Sequence, residues 1–303
     1  MTRHFLALSQ YTKGELDALF ALTRELKEKQ KKGIEHHLLK GKSVALIFEK
    51  SSTRTRVSFE VGVYQLGAQP LFISSGTSQM GRGEPIKDTA RCMARYCDGV
   101  MIRTYGQEIV EEFARYSDVP VINGLTDLFH PCQIMADLFT VIEHKGSCEG
   151  LKVAWVGDGN NMANTWVEAA AIFGFDLTLA CPTGYEPNRH VWEWAQTRAT
   201  STITITEDPE EAVRDADVVN TDVWASMGQE AEQQKREQAF QGFCLTDELV
   251  SLARPDCMVL HCLPAHRGEE ITDSVIEGPR SAVWDEAENR LHVQKAIMAT
   301  LMK

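Results

Sequence analysis

The sequence has no apolar run near the ~18 residues that a membrane-spanning helix needs. Its opening, "MTRHFLALSQYTKGEL", lacks the long apolar core and small-residue cleavage site of a secretory leader, so a cytoplasmic protein with no membrane partner is expected. Basic residues are in short supply: 31 Lys and Arg stand against 43 Asp and Glu, a net charge of −12. That balance argues against a nucleic-acid partner, which would need a basic face. The eight cysteines (Cys92, Cys97, Cys132, Cys148, Cys181, Cys244, Cys257 and Cys262) include no C-x-x-C pair, and free thiols are expected. Cys257, His261, Cys262 and His266 match none of the usual zinc spacings, so no metal is expected. There is no G-x-x-x-x-G-K-[ST] element, which removes a nucleotide P-loop, and no repeat or low-complexity tract. No cofactor is expected.

What is present is an alternation of strand and helix patterns over 303 residues, a length that suits two domains of ~150 residues. "TKGELDALFALTRELKEKQKKG" reads as an amphipathic helix capped by Thr12 with Glu15 three residues on and Gly33 beyond its end. Strand patterns follow at 44–48, 69–74, 99–103 and 120–123, then, after a helix over 130–146, at "LKVAWV", 176–180, 202–206, 218–221 and 258–261. Strands separated by helices imply an α/β protein of two domains, each a mostly parallel sheet flanked by helices. A boundary near Ser147–Gly150 gives domains of residues 1–147 and 148–288, and residues 289–303 form a last helix expected to pack back on the first domain.

The stretch "EKSSTRTRVSFE" puts two arginines where a helix least welcomes them. It follows the apolar run "SVALIF", and Phe59, Val63 and Leu66 recur at helical spacing, so a helix begins near Ser52 or Thr53. Arg54 and Arg56 oppose the dipole of that first turn by roughly 0.3–1 kcal/mol each. A bound phosphate would turn the conflict into complementarity, with Ser52, Thr53 and Thr55 adding hydroxyls. The plainer alternative is a surface cap whose arginines pair with Glu49 or Glu60. The arginines lie ~200° apart on a helix wheel, so one ligand suits only one of them, and Arg54 stands nearer the start. Arg103 ends the strand "GVMIR", His130 precedes Pro131 at the next helix start, and Gln133 lies on its first turn.

"SSTRTR", then "FHPCQ", "DVWASMG" and "HCLP" in that order, closely resemble the aspartate/ornithine carbamoyltransferase family over nearly the whole chain. The resemblance implies that residues 1–147 bind carbamoyl phosphate and 148–288 ornithine, and that an amine attacks the carbamoyl carbon and expels phosphate. It assigns Ser52, Thr53, Arg54 and Thr55 to carbamoyl phosphate, Arg103, His130 and Gln133 to its carbamoyl group, and Arg290 in "ENRLH" to the same ligand. Donors aimed at the developing oxyanion are worth about 3–4 kcal/mol each. The loop "SSGTSQMGRGEP" reads by itself as a generic polar loop; the resemblance makes it reach a neighbouring subunit's site through Gln79, which implies a homotrimer with shared active sites.

The second substrate must offer a neutral amine, although only about one alkylamine in 2,500 is unprotonated at pH 7, a gap of ~4.6 kcal/mol. The resemblance places Cys262 beside the side-chain amine, where it is a candidate proton acceptor, and counts Cys262 and Leu263 among the carbamoyl phosphate contacts. It assigns Asn161, Asp222, Ser226 and Met227 to ornithine. The implied reaction gives L-citrulline and phosphate, a step of arginine biosynthesis; aspartate, putrescine and N-acylornithine are the alternative amines. An aspartate site would need further cations, whereas Asp222 and a thiol suit a diamino acid. "VGDGNNMANTW" also offers G-x-G after a strand, but Met162 holds the third glycine position and the next strand ends in "LACP" without the acid a ribose would want. A non-catalytic relative would have lost chemical groups, yet Arg54, Arg103, His130, Asp222 and Cys262 are all present.

Overall fold

A computed structural model describes residues 2–77, 79–80, 83–225 and 232–303. The chain divides into two compact units, Met1–Met135 with Arg290–Lys303, and Ala136–Asn289. The divisions fall inside the helices Pro131–Lys145 and Val283–Met302, and the boundary expected at 147–148 follows the end of the first of these.

The first unit is built on four parallel strands, β1 (Ser43–Phe48), β2 (Gln69–Ser74), β3 (Gly99–Arg103) and β4 (Val121–Leu125), in the order β2-β1-β3-β4. The apolar runs "SVALIF" and "GVMIR" occupy its centre, where both faces are covered, and only Ser43 among them escapes burial. β2 lies at the edge and leaves Leu71 and Phe72 40% exposed. The first helix, Lys13–Lys31, carries the anticipated capping box between Thr12 and Glu15.

The second unit has five parallel strands, β5 (Lys152–Val156), β6 (Asp176–Ala180), β7 (Ile203–Thr206), β8 (Val218–Thr221) and β9 (Met258–His261), in the order β7-β6-β5-β8-β9. The helix Asn161–Phe173 has eleven of its residues buried, from Asn161 through Ala170 and Phe173, because "MANTWVEAAAIF" is apolar or small almost all round. In each sheet the strand order reverses once, between β1 and β3 and between β5 and β8. Ligands gather beyond the carboxyl ends of strands at such switch points.

The α/β reading and the strand positions hold, with ends shifted by one or two residues. The last helix differs: it starts at Val283 rather than Asn289. Asp285 and Glu286 suit the positive end of a helix, and that acidic run hides the apolar period in the sequence.

Within the first unit Lys295 is fully buried, its Nζ 2.8 Å from Gln65 Oε1 and 3.1 Å from His36 Nε2. Burial pushes its ammonium down from 10.5 to about 8 and, with the Lys295 charge adding to it, holds His36 below its ordinary value. A lysine depressed in the folded chain costs stability below its folded pKa, and that cost fades as pH rises towards the unfolded value. Lys295→Met is therefore expected to stabilise the protein at pH 7 by about 1–3 kcal/mol. The urea midpoint reports it, and the gain over wild type should shrink between pH 8 and 10.5.

Candidate active site

The helix Thr53–Gln65 leaves β1 with Ser52 as its cap, the Ser52 Oγ accepting the Thr55 N–H at 3.2 Å. The Ser52 hydroxyl also donates to Thr55 Oγ1 at 3.1 Å. Thr55 is fully buried, and its Oγ1 accepts from Arg103 Nη1 at 3.3 Å and Arg290 Nη2 at 3.0 Å. Arg103 reaches it because β1 and β3 are neighbours in register, Phe48 opposite Arg103, with a bulge beside Arg103 that re-aims the strand end. Both guanidiniums are almost buried, at 8% and 5% exposure. His130 is buried too, and its imidazole is held well below its ordinary pKa by burial and then by the charges of Arg290 and Arg103, so it is neutral. Two buried cations on one neutral hydroxyl beside an uncharged imidazole make a site for an anion.

The neighbouring cations are committed elsewhere. Arg56 pairs with Glu60 at 2.9 Å and lies 3.6 Å over the Phe72 ring, which offsets its conflict with the dipole. Lys50 pairs with Asp127 and covers the Tyr105 ring at 4.2 Å. Arg54 and Thr53 are exposed on the first turn, and Gln133 is buried with its N–H on the His130 carbonyl. Gln79 is exposed on the loop beyond β2.

The second unit collects acids and a thiol. Asp222 follows β8, and its carboxylate is clamped from two sides: Asn160 Nδ2 donates to Oδ2 at 2.9 Å and Cys262 Sγ to Oδ1 at 3.2 Å. Asn160, not Asn161, caps the helix, accepting from the Met162 and Ala163 N–H groups. Asn161 is the first helical residue and is buried. Ser226 and Met227 lie outside the described residues. Burial pushes the Cys262 thiol well above 9.0, and the charges of Asp222 and Glu286 push it further. The thiol therefore keeps its proton at neutral pH and donates it to Asp222.

Asp222, His261 and Cys262 present ligand-type atoms within 4.8 Å of one another. Both His261 ring nitrogens are nevertheless committed, Nδ1 to the Leu263 N–H and Nε2 to Glu270. A cation there would have to displace a hydrogen bond. Leu263 sits at φ 57°, a left-handed conformation that costs a non-glycine residue about 1–2 kcal/mol.

The G-x-G of "VGDGNN" has a structural use. Gly157 takes φ 137°, and a Cβ on Gly159 would lie 2.2 Å from the Glu186 carbonyl carbon and 2.3 Å from Pro187 N. The glycines let this loop lie against the 186–187 backbone. Between them Asp158 pairs with buried Arg236 at 2.8 Å, and Arg236 also donates to the Trp224 carbonyl at 2.7 Å. Burial pushes Asp158 up to about 6, with Arg236 pulling it back and Asp222 adding to the rise. Sequence reading passes over this pair, because Asp158 sits in an apparent nucleotide motif and Arg236 in the charged run "QQKREQ", which resembles a solvated face.

Two open parallel sheets, one gathering cations and the other acids at its carboxyl edge, define an α/β protein with a polar site on each sheet. Residues 3–143 match the aspartate/ornithine carbamoyltransferase carbamoyl-P binding domain, and residues 149–301 match the Asp/Orn binding domain of the same family. The chain is 86% identical to an ornithine carbamoyltransferase of Geobacter sulfurreducens, covering 100% of both chains. An ornithine carbamoyltransferase of Pelobacter propionicus is 74% identical over 100% of this chain and 99% of its own. The solved ornithine carbamoyltransferase from Pyrococcus furiosus is 50% identical with a TM-score of 0.96, over 99% of this chain and 97% of that one. The chain belongs to the aspartate/ornithine carbamoyltransferase family.

Gly159→Ala is expected to destabilise the protein by about 1–3 kcal/mol, seen as a lower urea midpoint, since the clash is with backbone and cannot be relieved by a rotamer. Alkylation of Cys262 by iodoacetamide should stay slow at neutral pH and rise only above pH 9. A midpoint below that pH, followed by peptide mass spectrometry, would contradict the protonated thiol.

Proposed function

We propose that the protein transfers the carbamoyl group of carbamoyl phosphate to the side-chain amine of L-ornithine, releasing L-citrulline and phosphate, as a step in arginine biosynthesis. The observation that carries this reading is the meeting of Arg103 and Arg290 on the Thr55 hydroxyl beside a neutral His130. Ser52, Thr53, Arg54, Thr55, Gln79 and Arg290 hold the phosphate. Arg103, His130 and Gln133 take the carbamoyl group, and a neutral imidazole can give an N–H to the carbonyl oxygen as charge builds there. Asn161, Asp222, Ser226 and Met227 grip ornithine, and Leu263 completes the turn beside Cys262. Residues 1–147 thus serve carbamoyl phosphate and 148–288 ornithine, with 289–303 returning Arg290 to the first domain.

The amine nitrogen forms the new C–N bond, the C–O bond to phosphate breaks, and the nitrogen must lose a proton. A thiol held well above 9.0 is a poor acceptor for it. The departing phosphate gains basicity as its bond breaks, and it takes the proton. Cys262 then acts by donating to Asp222 and keeping that carboxylate aligned.

The protein works as a cytoplasmic homotrimer with shared sites. In support, Val57, Val61, Tyr64, Leu71 and Phe72 of the first unit are exposed apolar residues clustered on the helix Thr53–Gln65 and the edge strand β2.

His130→Ala should lower kcat for citrulline formation by about 10²–10³-fold with the melting temperature little changed. Unchanged turnover would remove His130 from the reaction. Carbamoyl phosphate supplied with ornithine, aspartate, putrescine or N-acetylornithine in turn tests the substrate, and product formed from aspartate alone would overturn the assignment.

A further inference from the structure

We infer that Glu270 is a positioning residue for the turn that carries Cys262 and Leu263, acting through His261; this rests on the assignment of that turn to the substrates made above. Leu263 is left-handed at φ 57°, a conformation a bulky side chain keeps only when its surroundings hold it. The His261 ring supplies the hold, because the Leu263 N–H donates to Nδ1 at 2.9 Å. A backbone amide can only donate, so Nδ1 carries a lone pair and the ring proton sits on Nε2. Nε2 lies 3.0 Å from Glu270 Oε1, which accepts that proton's hydrogen bond.

The same carboxylate oxygen accepts the His266 N–H at 2.6 Å, so Glu270 ties down both ends of the segment from His261 to His266. Both side chains have 0% exposure, and water cannot take over either role. The backbone N–H of His261 is anchored separately on Glu286 at 2.9 Å. With no acceptor at position 270, the ring proton is free to move to Nδ1, where it would confront the Leu263 N–H donor to donor. The turn then loses its hold, and the Cys262–Asp222 hydrogen bond next to it loses its alignment.

Four variants of the full chain test this: E270Q, E270M, H261N and H261N/E270M. Gln keeps an acceptor without the charge, so E270Q should stay within about threefold of wild type in kcat/KM for ornithine. E270M should fall by about 10–100-fold, the scale on which an orienting hydrogen-bond partner acts. In H261N the side-chain oxygen stands in for Nδ1 without needing Glu270, so H261N/E270M should recover at least about tenfold over E270M. E270M near wild type, E270Q falling as far as E270M, or no recovery in the double variant would each overturn the role. Should E270M fail to fold, H261N against H261F reads the same hold, and equal activities would overturn it. A wild-type chain that forms no citrulline sinks the substrate reading instead. The positioning role is then read from ¹⁵N-histidine spectra, in which the Nε2–H tautomer of His261 must persist in E270Q and be lost in E270M.

Discussion

The organising constraint of the first unit is electrostatic: two guanidiniums, both nearly buried, meet on the single hydroxyl of Thr55. Like charges this close repel, by an amount that grows as water is removed. The scaffold imposes the arrangement by placing β1 beside β3 and by bringing the chain back at Arg290, which is grouped with the first unit. Lys50 and Arg56 are already paired with Asp127 and Glu60, so their charge is spent locally. Burial, and then the positive field at Thr55, keep His130 neutral, so it can give an N–H without adding a third cation to the cluster.

The second unit has the opposite sign. Asp222, Asp158 and Glu286 crowd the carboxyl ends of β5, β8 and β9. Burial first and then the Asp222 charge raise the pKa of Asp158 and of Cys262, with Glu286 adding to the rise at Cys262. A cationic edge suits a dianionic ligand and an acidic edge a cationic one, and in this the two edges match by charge the two reactants of the proposed reaction. The acidic edge also explains why Cys262 is a donor. A thiolate beside Asp222 would place two negative charges in a buried site, and retaining the proton avoids that cost.

Much of the scaffold was legible because its signals are local. Thr12 with Glu15, Ser52 at the start of the helix Thr53–Gln65 and Pro131 after His130 are cap signals set by neighbours a few residues apart. The strands stand out because buried parallel strands are short, continuous apolar runs. The start of the last helix did not stand out, since an acidic first turn is favourable for a helix yet breaks the apolar period. Arg236 was invisible for a related reason: nothing in "QQKREQ" marks which of its charges turns inward.

The sequence by itself determined the alternation of elements, the helix caps and the residue types available for chemistry at each strand end, because each depends on backbone geometry within a few residues. Tertiary structure decided which of those residues meet. Arg103 and Arg290 join Thr55 only through strand order and the return of the chain. The second glycine of "VGDGNN" is explained only by the backbone at 186–187. The protonation of Cys262 and His130 likewise follows from burial and from charges far away in the chain, and no local pattern carries that information.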